Sequence, residues 1–220
     1  MIDMLSGCRH FVCRSKGTDL LAQNRGRYIM KKRPQDDLME YFNALYQVAR
    51  VINRSLETSS VLQEIVRCVT VAMHAKASIL RLLESKGEKL TLAASYGLSK
   101  GYLHKGPIEL SESKLDRRII KGETVWIKDT QTDKAFQYRD EARTEGIKSV
   151  LAAPLIVDDK AIGVLRVYAG EVRQFDEHDV QFLEAVANLS AIALDNARHH
   201  ERLKIKCDLM TEHKYRLDDN

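Results

Sequence analysis

The sequence predicts an α+β fold in which two β-hairpins and a shorter strand are bracketed by helices at both ends of the chain. Three observations predict it. Apolar residues recur at steps of three and four near both ends, the period of one helical face. Two pairs of Val-, Leu- and Ile-rich runs between them are each joined by a short polar link, as hairpins are. The stretch separating those pairs is broken by Gly97, Gly101, Gly106 and Pro107, which mark loops.

Residues 1–35 mix Gly7, Gly17 and Gly26 with basic side chains and close on Lys31-Lys32-Arg33-Pro34, a pattern expected of a weakly ordered basic extension. From Asp36 the pattern changes. Leu38, Phe42, Leu45, Ala49, Ile52 and Leu56 form one stripe of an amphipathic helix. A second helix, with Ser60 and Gln63 at capping-box spacing, carries Leu62, Ile65, Val66, Val69 and Met73 and should end near His74.

Residues 77–84 and 89–96 read as a hairpin turned through a link containing Gly87. Ser111 can cap a short helix holding Leu115, Ile119 and Ile120, which Gly122 stops. A strand over 124–128, a polar loop and a short helix over 136–145 ending at Gly146 follow. The second hairpin spans 149–157 and 161–169 around Asp158-Asp159-Lys160. Asp176 then caps a long helix, with Glu177 and Asp179 complementing its positive end. Its seam, Phe182, Val186, Leu189, Ala193, Asn196, His200, Leu203, Cys207 and Met210, runs further than one domain needs and implies a partner helix.

Composition narrows the function. The 220 residues, 44% hydrophobic and 30% charged, fit a globular chain, and no run approaches the ~20 apolar residues of a membrane span. The net charge of +4 is concentrated in Arg25, Arg27, Lys31, Lys32 and Arg33, so no continuous phosphate-tracking stripe is visible and no nucleic-acid partner is expected. Four scattered cysteines and the lack of a signal-peptide pattern point to a reducing, cytoplasmic setting. Cys8, His10 and Cys13 lack a fourth ligand, and His199, His200 and Cys207 suit helix packing, so no metal is expected.

Three segments carry a family likeness: Gly146-Ile147-Lys148-Ser149-Val150-Leu151-Ala152-Ala153-Pro154-Leu155, then Ala161-Ile162-Gly163-Val164-Leu165, then Phe175-Asp176-Glu177-His178-Asp179. With the element order over 38–197, they resemble the GAF domain family. These residues also have plain structural roles, since Gly163 permits a close backbone approach and Phe175 anchors the last helix. The resemblance implies an antiparallel sheet with dimer-forming helices on one face and a loop and short-helix lid, 97–146, over a ligand on the other. It divides the chain into the extension, a GAF domain over 36–197 and a helical coiled-coil extension over 198–220.

The same topology nominates Leu115, Arg118, Ile119, Trp126, Phe136, Tyr138, Arg143 and Ser149 as ligand-binding residues. Tyr138 and Ser149 would orient a polar group, and Arg118 or Arg143 would meet an anionic one. Phe42, Leu45, Phe182, Val186, Leu189, Leu203 and Met210 are nominated for a homodimer interface. Residues 133–141 resemble a degraded cyclic-nucleotide motif, and no cysteine falls in 97–146, where bilin attachment or methionine sulfoxide reduction would need one. No phosphate loop or catalytic triad pattern appears, so no enzymatic activity and no identified cofactor are expected. The reading is a sensing module for an unidentified small molecule that acts on a signalling protein partner. The alternative is a ligand-free scaffold whose pocket is filled by Trp126 and its neighbours.

Overall fold

The computed structural model describes residues 34–54, 57–104, 106–133 and 136–218, with side chains described from 38 to 210. The expected extension lies almost wholly outside these residues. In chain order the elements are α1 (Pro34–Arg54), α2 (Thr58–Ala72), β1 (Ala77–Leu83), β2 (Lys89–Tyr96), α3 (Lys100–Leu103) and β3 (Ile108–Glu109). Then come α4 (Lys114–Ile120), β4 (Val125–Ile127), α5 (Arg139–Glu145), β5 (Ser149–Val157), β6 (Lys160–Ala169) and α6 (Glu177–Asp218).

The strands form one antiparallel sheet in the order β3-β2-β1-β6-β5-β4. β1 and β6, from different hairpins, meet at its centre with Ile79 opposite Arg166 and Arg81 opposite Val164. Asp158 and Asp159 turn the second hairpin with φ of 46° and 60°, the left-handed pair that a two-residue turn matching the strand twist requires. Lys160 therefore belongs to the strand rather than to the turn.

Period-two alternation sends the side chains of each strand to two separate cores. Leu80, Leu151, Leu155, Leu165 and Val167 face α1, α2 and α6, where Ile65, Val66, Val69, Leu183, Val186 and Ala187 are fully buried. Ile79, Val150, Ala152, Val164 and Tyr168 face the opposite way, toward α3, α4 and α5 and the loops around them. The central strands are thus apolar on both faces, which explains the near-continuous hydrophobic runs of β5 and β6.

The helical layer is locked at the start of α6. Asp176 and Asp179 exchange side-chain-to-backbone hydrogen bonds of 2.9 and 3.1 Å, closing a reciprocal cap around the predicted N-cap Asp176. Asp179 also accepts from Arg173 at 2.8 Å and from the Tyr41 hydroxyl of α1. The Tyr41 ring stacks on Phe182 at 4.3 Å.

Several local expectations shift. In α1 the buried stripe is Tyr41, Val48 and their partly buried neighbours Ala44, Leu45, Val51 and Ile52, one position round from the predicted one, so Leu38 and Phe42 stand in solvent. Ser60 and Gln63 do not form a box: Ser60 donates to Glu57 at 2.7 Å and Gln63 crosses to the Ser95 carbonyl at 2.8 Å. Ser113, not Ser111, caps α4, and α5 starts at Arg139 rather than 136. The short α3 and β3 fall in the stretch read as loop. Gly146 ends α5 in the left-handed conformation (φ 72°), as its sequence position predicts.

Gly163 faces Leu82 across the β1–β6 ladder, and a Cβ there would drive into the Arg81 backbone carbonyl. Because that obstacle is main chain, it cannot rotate away. Gly163→Ala is expected to cost about 1–3 kcal/mol, read as a lowered urea midpoint; unchanged stability would show that the strands separate freely at this point.

Candidate functional site

The candidate site occupies the lid face of the β1–β6 pair. Its apolar walls are Ile79, Leu90, Ile108, Leu115, Ile119, Ile127, Phe136 and Val164, all buried. Among them stand two arginines. Arg81 and Arg166 are each 5% exposed and lie diagonally across the two central strands, on the face their register dictates.

Arg166 is ion-paired with Asp116 of α4, and both side chains are almost entirely enclosed. Asp116 is held in turn by Ser113, whose hydroxyl donates to the carboxylate at 2.6 Å and accepts from the Asp116 amide. The cap of α4 and the ion pair are therefore one network. Arg81 instead donates through Nη1 to the carbonyls of Leu90 and Gly106, both at 3.2 Å. Burial pushes its pKa below the ordinary guanidinium value; Tyr168 opposes that shift, and the neighbouring Arg166 charge adds to it.

Three tyrosines border the arginines. Tyr102 of α3 meets Tyr168 edge-on with ring centroids 6.0 Å apart, and burial, reinforced by Tyr168, raises its pKa against the lowering effect of Arg166. Tyr138 packs on the same cluster, and its pKa is also raised, first by burial and then by Glu112. The lid is braced elsewhere: Glu145 of α5 accepts from the Ser99 amide at 2.9 Å and from the Ser99 hydroxyl, and the Thr130 hydroxyl donates to the Ile147 carbonyl at 3.0 Å.

The structure divides the nominated ligand residues. Leu115, Ile119, Phe136 and Tyr138 are brought together in the lid cluster. Arg118 is not among them: its seven-residue helix turns it outward to pair with Glu123 at 2.8 Å. Arg143 is exposed and donates to Gln131 at 2.9 Å. Trp126 is 37% exposed because Val125 and Ile127, its strand neighbours, take the inward positions. It therefore does not fill the lid cluster, contrary to the scaffold expectation. The Ser149 hydroxyl is engaged with the Lys128 and Glu171 carbonyls and the Arg173 amide, fastening chain segments at the sheet end.

The dimer residues divide likewise. Phe182 and Val186 lie inside the core of the single chain and cannot reach a second one, because the first turns of α6 are needed to cover the sheet. Leu45 and Leu189 are partly buried against the same core. Phe42, Leu203 and Met210 remain outside, with Ile192, Ile205 and Leu209. A groove of about 740 Å³ lies on this helical side, between the end of α1, the start of α2 and α6, lined in part by Ile52, Val61 and His200. Cys68 and Cys207 lie on α2 and α6, away from the lid. Among the described residues no His, Cys, Asp and Glu group is placed to hold a metal, and no helix is long and apolar enough to cross a membrane.

Motif reasoning misses Arg81 and Arg166, but a signal exists. Each is a lone charge inside a run of apolar strand residues, Ile79-Leu80-Arg81-Leu82-Leu83 and Val164-Leu165-Arg166-Val167-Tyr168, where charge is rare without a specific partner.

The architecture and the sequence lead to the same place. A GAF domain family model matches residues 55–195. The chain belongs to the GAF domain family. It is 25% identical over 190 residues to a Nif-specific regulatory protein of Herbaspirillum seropedicae, the match covering 80% of this chain and 34% of that protein. The chain thus spans about a third of that relative. The GAF domain of a phosphoenolpyruvate-protein phosphotransferase from Coxiella burnetii has a similar fold, with a TM-score of 0.68, 21% identity, and 75% of this chain and 98% of that one covered. The free methionine-R-sulfoxide reductase of Neisseria meningitidis, solved with its substrate, also shares the fold, with a TM-score of 0.64 and 21% identity over 75% of this chain and 94% of the other. GAF domains are typically signalling and sensing modules, and the curated relatives the chain matches are regulatory proteins.

Removing Asp116 from this GAF domain would leave Arg166 buried without a counter-charge. Asp116→Ala is expected to cost about 3–5 kcal/mol, whereas Asp116→Ala combined with Arg166→Met recovers most of it. Denaturant titration of the single and double variants measures both, and equal losses in the two would mean that the ion pair is not what ties α4 to the sheet.

Proposed function

We propose that this GAF domain is a cytoplasmic, homodimeric sensing module, without enzymatic activity, which registers a small molecule under its lid and acts on a signalling protein through its helices. The observation carrying the reading is the course of α6. Its 42 residues extend about 63 Å at 1.5 Å per residue, and among the described side chains the last one buried in the core is Leu194. Beyond it Leu203, Ile205, Leu209 and Met210 stand exposed. These apolar side chains stand among charged ones on the projecting part of the helix, and exposed apolar positions along one helix are the kind that a partner helix covers.

The two faces of the sheet supply the input and output sides. Residues of β1, β5 and β6 alternate between the lid cluster and the core under α1, α2 and α6, so a side chain displaced on one face moves a strand that also packs on the other. The scaffold reading draws support from the closed, largely apolar lid cluster. The buried charges within that cluster favour sensing, because Arg81, unlike Arg166, is in ion-pair contact with none of the described carboxylates, and an aliphatic residue there would avoid the cost of desolvating it.

Sedimentation velocity on the full chain tests the dimer: it should sediment as a dimer, and Leu203→Glu with Met210→Glu should yield a monomer with unchanged near-ultraviolet circular dichroism. Both residues lie outside the core, so the double variant separates assembly from folding. A variant that stays dimeric would rule out the projecting part of α6 as the seam. Native mass spectrometry of gently purified protein tests sensing, a reproducible extra mass supporting it and a clean apo dimer shifting weight to the scaffold.

A further inference from the structure

The lid cluster encloses more positive charge than it neutralises. Arg81 and Arg166 both face it at 5% exposure, and among the described residues Asp116 is the one carboxylate in ion-pair contact with either. One unit of positive charge is left over in a region where desolvation makes an uncompensated charge costly.

The hydrogen-bonding inventory points the same way. A guanidinium offers five N–H donors in a planar fork. The Arg166 Nε is wholly buried and has no hydrogen-bond partner among the described residues. Both bonds of Arg81 leave from Nη1, to the Leu90 and Gly106 carbonyls. Its Nε and Nη2 therefore have no acceptor among the described residues. Two forks with spare donors, on adjacent strands and one same-face position apart, are the arrangement that grips the oxygens of an anion. A buried donor without an acceptor is otherwise selected against in folded chains.

We infer that Arg81 and Arg166 form the recognition element for a small, singly charged oxyanion of the carboxylate class, held against the lid face of the sheet beside Tyr102 and Tyr168. The inference rests on the sensory reading and gives its ligand a chemical class. Charge balance selects a single negative charge, because with Asp116 in place a dianion would leave an excess of the opposite sign. The apolar walls formed by Ile79, Ile119 and Val164 suit a compact organic body behind the carboxylate. Entry requires the lid to open, and Arg166 couples the two events. It holds Asp116 of α4 in the closed structure, and its remaining donors face the anion, so binding redistributes the contacts that fix α4.

Two arms test this on the full chain. In the first, arginine Nε–H signals of ¹⁵N-labelled protein are followed by NMR while sodium acetate, inorganic phosphate or sodium chloride is added at matched ionic strength. Arg81→Gln and Arg166→Lys assign the two signals. Acetate should shift both saturably, and Arg81→Gln should weaken the response by about tenfold or more, the value of a lost charge-assisted hydrogen bond. Arg81→Gln should melt no lower than the parent without ligand, since it removes an uncompensated buried charge while keeping a donor. A lower melting temperature with acetate binding intact would make Arg81 purely structural and overturn the proposal. So would shifts with phosphate alone, or an acetate response equal to that of chloride; the parent protein decides these two outcomes even if a variant does not fold.

The second arm separates this inference from the reading beneath it. If acetate binds at the arginines while the signals of α6 stay fixed, the anion site stands and the sensory reading fails. If native mass spectrometry shows a neutral retained molecule whose binding survives Arg81→Gln, the sensory reading stands and the anion site is lost.

Discussion

The ion pair between Arg166 and Asp116 is the contact on which the lid depends. α4 has seven residues, far below the length at which a helix holds itself together in water. Its position comes from Leu115 and Ile119 on the apolar side and from one carboxylate pulled onto a central strand. Apolar contacts alone would tolerate sliding and rotation. The ion pair does not, because a carboxylate moved out of reach of Arg166 leaves two charges desolvated and unanswered. Ser113 adds direction, fixing the Asp116 side chain and the first turn of α4 with one hydroxyl.

A sheet packed on both faces allows little freedom in what its centre contains. Where β1 and β6 run together, side chains on both faces are buried, so each polar residue there needs a local answer. Ser78 has one: its hydroxyl donates to the Val66 carbonyl at 2.7 Å and accepts from Thr70 at 2.8 Å, tying β1 to α2. Arg166 has half an answer in Asp116. Arg81 has main-chain carbonyls and, among the described residues, no counter-charge. Ser78 and Thr70 on the helical face are thus satisfied within the fold, while the two arginines on the lid face have donors without acceptors among the described residues, and this asymmetry singles out the lid face.

Most of the fold is legible in the sequence because period and punctuation act locally. The two hairpins, the Gly146 stop and the Asp176 cap each follow from residues within a few positions of one another. The α1 stripe reads one position out because Tyr41 and Phe42 are both large and aromatic, and Phe182 and Asp179, which decide between them, lie far along the chain. The site is less legible for the same reason. Leu115, Ile119, Phe136 and Tyr138 can be placed by topology, whereas Arg118 and Arg143 carry their charge on short helices whose rotation the sequence does not fix. Trp126 goes outward by the parity of a three-residue strand. Arg81 and Arg166 require knowledge that β1 and β6 are neighbours, a pairing between hairpins that no local pattern announces.

The long helix shows how one periodic pattern can serve two purposes in turn. Between Phe182 and Leu194 the stripe covers the sheet, and Tyr41 of α1 stacks against its beginning. Past Leu194 apolar positions recur at Leu203, Ile205, Leu209 and Met210, which stand exposed among the described residues. The period does not change at that boundary, which is why the seam reads as uninterrupted in sequence although its first half is core and its second half surface. A rigid helix spanning both regimes transmits a change in its packed half to its projecting half, since twist or translation imposed near Val186 has no hinge residue, Gly or Pro, in which to dissipate before Met210. Uninterrupted helicity is therefore the property of α6 that suits the proposed output role.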